Sequence, residues 1–211
     1  MKTNNIIDIT PLVSSALAVF PGDTPFKLTT KLEVGDQSNF KLSEMQCTVH
    51  CGAHTDAPSH YAASSADIHL ANLNDYYGEC QVIQVDVPRS RRITINDLKG
   101  TVIQASRVLF KTLSYPDPNK WNQDFNALSE EVIEFLRSKN VKLIGIDTPS
   151  VDLALDKKLL AHNKIHQLDM RILEGIVLEH VEDGLYTLCA LPLKIENADA
   201  SPVRAILIKK D

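Results

Sequence analysis

The sequence predicts a mixed α/β domain in which β-strands outnumber helices. Apolar segments of strand length recur along the 211-residue chain, whereas helical periodicity is clear in only a few places. Apolar residues make up 44% and charged residues 23% of the chain, as in ordinary globular proteins. Neither a Pro/Gly/Ser-rich linker nor an internal repeat divides the sequence. We therefore expect a single domain over residues 1–211.

Eight segments have the length and composition of β-strands. They cover residues 6–9, 27–34, 42–49, 81–87, 107–111, 142–147, 186–191 and 205–209. The Pro-Gly-Asp-Thr-Pro run at 21–25 predicts a turn before the second strand. Gly35 and Asp36 predict a turn between the second strand and the third.

Helix signals are fewer. Ser129 is a suitable N-cap, and apolar residues recur at helical spacing after it until Asn140. A second helix is expected over residues 170–178, with Asp169 as its cap, and a short helical turn over residues 94–98. The balance of many strands and few helices indicates a largely β core.

Charge and composition exclude several classes of protein. The net charge is −5, and the densest basic cluster, at residues 89–92, is typical of a solvated turn, so we expect no nucleic-acid partner. No apolar run reaches the ~18 residues of a membrane span, and no targeting segment is visible. The four cysteines form no Cys-x-x-Cys pair. We expect a cytoplasmic protein with free thiols.

Three of the seven histidines fall within eleven residues, at His50, His54 and His60, with Asp56 among them. The cluster begins where a predicted strand ends, and Gly52 permits a sharp turn there. Imidazole and carboxylate are the usual ligands of catalytic zinc, manganese or iron. His60 is either a further ligand or an acid–base group. The segment predicts a metal site, although a polar loop with hydrogen-bonded histidines has the same spacing.

Nucleophilic catalysis is a weaker interpretation of the same residues. Ser59 and Ser150 do not lie in Gly-x-Ser-x-Gly elbows. Cys51 lies beside His50, but a metal-bound His50 would not serve it as a base.

The run from His50 to His60 resembles the hallmark HxGTHxDxPxH of the cyclase/kynurenine formamidase family, with Ala53 in place of Thr. Further segments resemble the bacterial kynurenine formamidase (arylformamidase) branch of that family. They cover residues 20–26, 115–122, 145–152, 190–194 and 199–205. The resemblance thus extends over almost the whole chain.

This resemblance implies a set of functional residues. It assigns His50, His54, Asp56, His162 and Glu174 as ligands of two metal ions, usually zinc with manganese as an alternative, and Asp56 as the bridge. Spacing alone would not have selected two of them, because His162 competes with His166 and Glu174 with Glu179. The resemblance assigns His60 as the catalytic proton donor and acceptor, and Phe20 as a substrate contact where the family often has Trp.

The resemblance also implies a fold, a reaction and an assembly. The fold is a swivelling β/β/α domain that forms a homodimer. The reaction is hydrolysis of N-formyl-L-kynurenine to L-kynurenine and formate, a step in tryptophan degradation by the kynurenine pathway. An antiparallel assembly with few helices would leave sheet edges and apolar surface for a second copy to cover.

Two rival functions remain open on the sequence. The same scaffold could hydrolyse isatin or another aryl or cyclic amide, since the attack on an amide carbonyl is the same. The alternative from a different class is a metal-binding or ligand-binding protein without turnover, which the presence of His60 disfavours.

Overall fold

A seven-stranded sheet forms the centre of the structure, a computed structural model that describes residues 5–210. The strands of these residues are β1 (Ile6–Asp8), β2 (Lys27–Leu32), β3 (Leu42–Gln46), β4 (His54–Asp56), β5 (Tyr77–Gln84), β6 (Arg92–Ile93), β7 (Arg107–Lys111), β8 (Ala127–Leu128), β9 (Leu143–Ile146), β10 (Arg171–Leu173), β11 (Gly184–Cys189), β12 (Ala200–Pro202) and β13 (Ile206–Lys209). The helices are α1 (Glu130–Ser138) and α2 (Leu160–Gln167), with 3₁₀ helices at Pro58–His60, Ile68–Leu70, Leu73–Asp75 and Ile95–Leu98. The predicted mixed, strand-rich α/β class is confirmed, while the ends of the predicted domain, residues 1–4 and 211, lie outside the described residues.

The central sheet has an antiparallel half and a parallel half. Its strand order is β1-β13-β11-β5-β7-β9-β10. Strands β1, β13, β11 and β5 pair antiparallel, whereas β5, β7, β9 and β10 pair in parallel. The antiparallel assembly expected from the sequence is therefore wrong for one half of the sheet. The other strands of the described residues form three two-stranded ladders, β2-β3, β4-β12 and β6-β8.

The parallel strands are buried on both faces, which explains their continuous apolar runs. Alternate residues of β7 and β9 enter two separate cores. Val108 and Ile144 pack on the face covered by α1 and α2. Leu109 and Leu143 point to the opposite face, where they meet Leu188 from the antiparallel half. Both faces of the sheet are thus closed against water by apolar side chains.

The first helix forms where its signals predict it. The Ser129 hydroxyl accepts from the Val132 amide and caps α1. Val132, Ile133 and Leu136 are buried on one face, and Asn140 follows with φ 63°. The short helical turn is also confirmed, because Thr94 and Asp97 form a capping box at the start of the 3₁₀ helix Ile95–Leu98.

The second predicted helix, over residues 170–178, is wrong. Residues Arg171–Leu173 form β10 at the edge of the parallel half, because Ile172 and Leu173 are both buried and the backbone pairs with β9. The helix lies earlier, at α2, and Asp169 with φ 50° is in the turn that follows it. Local signals could not find α2, since Leu159 at its N-cap position makes no side-chain cap.

The eight predicted segments all form strands that differ from the prediction only at their ends, whereas the short strands β4, β6, β8 and β12 were not predicted. The largest difference is β5, predicted over 81–87, which starts at Tyr77 because pairing with β11 continues to the Tyr77–Cys189 pair. The predicted hairpin is confirmed as antiparallel β2-β3, and nearly all of its side chains are exposed. Among residues 5–210, neither helix has the length and apolar character needed to cross a bilayer.

Candidate metal centre

The histidine segment, residues 50–60, lies between two parts of the chain that are distant in sequence. Strand β4 pairs with β12, and the His54 and Glu174 backbones exchange two hydrogen bonds of 3.1 and 2.9 Å. Gly175 has φ 67°, and a Cβ there would lie 2.3 Å from the Gly52 carbonyl oxygen. This close approach requires glycine at position 175. It brings the Glu174 side chain beside His54.

The five predicted ligands converge on one cluster, in which all are buried except His50, which is partly buried. His50 Nδ1 and His54 Nε2 lie 3.2 and 3.4 Å from Asp56 Oδ1. His162 Nε2 lies 3.3 Å from Asp56 Oδ2, and Glu174 reaches both His54 (3.2 Å) and His162 (3.6 Å). The ligand atoms form two groups of three, each within 4.8 Å, and Asp56 belongs to both. Asp56 thus presents one oxygen to each group.

The surroundings of Asp56 fit a bound cation. Within the described residues, both carboxylate oxygens are buried and neither has a partner in hydrogen-bond geometry. A buried charged group without such partners is costly. Imidazole nitrogens and carboxylate oxygens are the donors that zinc and manganese accept. A divalent cation between these side chains accounts for the otherwise unsatisfied oxygens.

The carboxylates of the cluster stabilise positive charge on the neighbouring histidines. Burial alone would raise the pKa of Asp56, but His162, His50 and His54 hold that pKa well below its usual range. Burial would lower the pKa of His50, but Asp56 and Asp199 raise it to about 9. The pKa of His162 rises to about 10 in spite of burial, because Asp152 and Asp56 contact it.

A second set of hydrogen bonds orients the imidazole rings. His54 Nδ1 donates to the Gly52 carbonyl at 2.9 Å, and His162 Nδ1 donates to Asp152 at 2.8 Å. In each ring the bonded nitrogen keeps its proton, so Nε2 is the nitrogen that can lose its proton and bind a cation. Asp152 also accepts from the Ala161 and His162 amides, which caps α2.

Asp152 therefore both caps a helix and orients a proposed ligand. Asp147 acts differently, since it accepts from the Thr112 amide and hydroxyl and from the Leu113 amide. These hydrogen bonds stabilise the loop that leads to Tyr115, which lines the pocket.

His60 ends the 3₁₀ helix at the edge of the cluster. Its ring centroid lies 4.1 Å from that of His50, and about a third of its side chain (35%) is exposed. His60 Nδ1 lies 2.9 Å from Asp199 Oδ2, and His50 Nε2 lies 3.0 Å from the same oxygen. Asp199 was missed as a site residue, because its only sequence signal is that it begins a family-like segment.

A pocket opens above the cluster at the carboxyl ends of the parallel strands. Residues that follow β7, β9 and β10 line it, among them Tyr115, Ser150 and Val177. Phe20 and Trp121 also line it and pack edge to face, with centroids 4.8 Å apart. Crevices at this end of parallel strands are common ligand sites.

Other candidate residues lie outside the ligand groups. The competing residues His166 and Glu179 are exposed and belong to neither group, and the same groups leave out His69 and His180. The Cys51 thiol is buried, and burial together with nearby Cys47 raises its pKa to about 12. Cys51 is therefore a neutral thiol at pH 7, which argues against the nucleophile interpretation.

Comparison with known proteins agrees with this geometry. The Cyclase family model, described as "Putative cyclase", matches residues 7–153. The chain is 40% identical over 206 residues to the kynurenine formamidase of Bordetella avium (strain 197N), covering 95% of this chain and 96% of the relative. It is 42% identical over 208 residues to that of Sphingopyxis alaskensis (strain DSM 13593 / LMG 18877 / RB2256), covering 97% and 98%.

Solved structures show the same architecture. A protein described as a potential metal-dependent hydrolase with cyclase activity superposes with a TM-score of 0.85 at 27% identity, over 98% of both chains. The predicted family is therefore confirmed, and the chain belongs to the cyclase/kynurenine formamidase family.

Proposed function

We propose that this protein hydrolyses N-formyl-L-kynurenine to L-kynurenine and formate in tryptophan degradation. The observation that carries the proposal is its likeness to kynurenine formamidases over 95–97% of the chain. The structure adds a cluster of histidine and carboxylate ligands, a histidine beside it and a pocket with an aromatic wall. These are the parts that hydrolysis of an aryl amide needs.

We propose two divalent cations as cofactors, zinc with manganese as the alternative. His50, His54 and Asp56 would hold one, and Asp56, His162 and Glu174 would hold the other. When bound, such ions polarise a carbonyl oxygen and promote ionisation of water at neutral pH. The buried, unsatisfied oxygens of Asp56 support its place as the shared ligand.

His60 is proposed to move the proton. If Nδ1 donates to Asp199, His60 Nε2 is free to accept a proton from the attacking water. The same nitrogen then returns the proton to the anilide nitrogen as the C–N bond breaks. An arylamine is a weak base, so protonating the leaving nitrogen at that moment lowers the barrier. A group that carries out such transfers typically contributes ~10²–10⁴-fold in rate.

The pocket wall is proposed to bind the aryl ring. Phe20 and Trp121 offer aromatic surface at the pocket, and edge-to-face or stacked contacts with a substrate ring are favourable. Phe20 has no N–H donor, so its contribution would be apolar contact alone.

We also propose that the protein works as a homodimer. The β2-β3 hairpin and its turn expose six large apolar side chains: Leu28, Leu32, Val34, Phe40, Leu42 and Met45. Apolar surface of this extent is typical of an interface. A cytoplasmic location is proposed as well, and the four free cysteines support a reducing compartment.

The first test is an absorbance assay of N-formyl-L-kynurenine hydrolysis. Metal-stripped, zinc-restored and His60→Ala proteins are compared in parallel, with isatin as a second substrate. We expect activity to follow the metal and to fall ~10²–10⁴-fold in kcat for His60→Ala. A folded, metal-loaded protein that opens isatin but leaves N-formyl-L-kynurenine intact would refute the formamidase assignment.

A further inference from the structure

One carboxylate oxygen joins two histidines that differ in their proposed roles. Asp199 Oδ2 lies 2.9 Å from His60 Nδ1 and 3.0 Å from His50 Nε2. His50 belongs to a ligand group, whereas His60 is the proposed proton carrier. Asp199 therefore contacts both a ligand and the acid–base residue through a single atom.

The backbone fixes Asp199 at this position. The Ala57 amide donates to the Asp199 carbonyl at 2.8 Å. In the next pair along the chain, Ala200 of β12 lies opposite Asp56 of β4. Asp199 thus directly precedes a strand that pairs with the histidine segment, so its backbone is placed by that pairing.

The two contacts determine where protons reside. An ionised carboxylate only accepts hydrogen bonds, so the ring nitrogen that faces it carries hydrogen. Asp199 Oδ2 faces a ring nitrogen of each histidine at hydrogen-bond distance, so it accepts from both. With Nε2 of His50 protonated, its Nδ1 faces Asp56 at 3.2 Å. With Nδ1 of His60 protonated, its Nε2 holds a lone pair.

We propose that Asp199 is a positioning residue that fixes the tautomers of His60 and His50 together. It keeps His60 Nε2 ready to accept a proton and His50 Nδ1 ready to bind the cation. The part of this inference that concerns proton transfer by His60 rests on the proposed function, whereas the part that concerns the tautomers does not. The alternative is that His50, His60 and Asp199 bind a further cation of their own, since their ligand atoms also lie within 4.8 Å of one another.

The kinetic test is a double-mutant cycle at saturating zinc. Asp199→Asn keeps the shape of the side chain, but its amide can donate to a ring nitrogen and so permits the other tautomer. We expect Asp199→Asn to lower kcat ~10–100-fold with little change in KM. Saturating zinc compensates for weaker metal binding at His50, so the remaining loss of kcat arises through His60, and adding Asp199→Asn to His60→Ala should produce no further loss.

Additive losses in that cycle would overturn the positioning role while leaving the formamidase proposal intact. The matched control is Asp86→Asn, an exposed carboxylate with no side-chain hydrogen bond or ion pair among residues 5–210, which should retain full activity. Zinc content is measured in every variant. One zinc more per chain in the native protein than in Asp199→Asn, with unchanged histidine tautomers, would favour the further-cation alternative and refute the positioning role.

A spectroscopic test needs no substrate. Nitrogen chemical shifts of ¹⁵N-histidine in the zinc-loaded protein distinguish protonated from unprotonated ring nitrogens. We expect Nδ1–H for His60 and Nε2–H for His50 in the native protein, and mixed tautomers for His60 in Asp199→Asn. If His60 carries its proton on Nε2 in the native protein, the inference is wrong whether or not the protein hydrolyses formylkynurenine.

Discussion

Asp56 is the residue on which the ligand cluster depends, because each of its oxygens faces a different group of ligands. His54, His162 and Glu174 each belong to a single group. Removing the charge of Asp56 should therefore affect both proposed ions at once, in contrast to a change at any of those three residues.

We expect Asp56→Asn to abolish binding of both ions, since a neutral amide is a poor bridge between two cations. Metal analysis after dialysis measures the effect, with far-UV circular dichroism as the check on folding. Asp86→Asn, which removes an exposed carboxylate, should bind as the native protein does. Retention of the full metal content by folded Asp56→Asn would argue against the bridging role.

Metal binding should release protons. The pKa of His50 is raised to about 9 and that of His162 to about 10, so both rings are protonated at pH 7 in the metal-free protein. A cation binds only the unprotonated nitrogen. Affinity should therefore weaken as pH falls and strengthen as pH rises toward 9–10.

Calorimetric titration of zinc at pH 7 in two buffers of different ionisation enthalpy measures this release. A binding enthalpy that does not depend on the buffer would contradict the predicted proton release.

The residues of the centre differ in how far the sequence alone predicts them. His50, His54, Asp56 and His60 lie in one segment, so their spacing alone indicated a metal site. His162 and Glu174 came only from the family resemblance, because their approach to Asp56 depends on distant elements. Asp199 was missed altogether, since strand pairing rather than spacing places it there.

At the scale of elements, α1 and α2 show what determines predictability. The cap of α1, Ser129, immediately precedes the helix and can be read from the sequence. The cap of α2 is Asp152, which lies several residues upstream and acts across a loop. Strand β10 depends on pairing with β9, so a short apolar segment there had no local signal to separate it from a helix.

The two caps offer a matched comparison. Asp152→Ala should destabilise the protein by ~1–2 kcal/mol or more through loss of the α2 cap. It should also weaken zinc binding ~10–100-fold, because His162 loses its orienting bond. Ser129→Ala should lower stability by a similar ~1 kcal/mol without changing zinc affinity.

Urea unfolding and zinc titration of both variants separate the effects. Equal zinc affinity in Asp152→Ala and Ser129→Ala would show that the contact with His162 does not orient the ring.

The exposed β2-β3 hairpin is the proposed dimer interface, and a charge placed there should disrupt the dimer. Met45 is 66% exposed on β3, and a lysine there would place a charge in the proposed interface. We expect Met45→Lys to shift the protein from dimer to monomer, measured by light scattering after size exclusion. Val102→Lys is the control, since Val102 is 70% exposed and lies outside the hairpin. A dimeric Met45→Lys protein would place the interface elsewhere.

At the scale of the whole molecule, the pocket lies where the parallel half of the sheet ends. Loops after β7, β9 and β10 form one wall, and the histidine segment brings the ligands to it. The strand-rich class was predictable from composition and periodicity. The parallel pairing was not, because continuous apolar runs are equally consistent with buried strands of either direction.

Zinc should stabilise the entire molecule, because its proposed ligands connect residues 50 to 174. At free zinc 100 times Kd, one site contributes ~2.7 kcal/mol, which corresponds to about 5–10 °C in Tm for a chain of this size. Differential scanning calorimetry measures the shift. One cooperative transition is expected for the single predicted domain, and two separate transitions would contradict it.

The pairing of β4 with β12 has a consequence for biosynthesis. While the ribosome is still translating the middle of the messenger RNA, the emerged chain contains His50, His54 and Asp56. It still lacks Glu174 and strand β12, which pairs with β4. A nascent chain therefore has the ligands of only one of the two groups, and it lacks the strand β12 that pairs with their segment. Metallation would await release of the last residues, so in a zinc-starved cell finished but inactive chains would accumulate and regain activity on resupply without new protein synthesis.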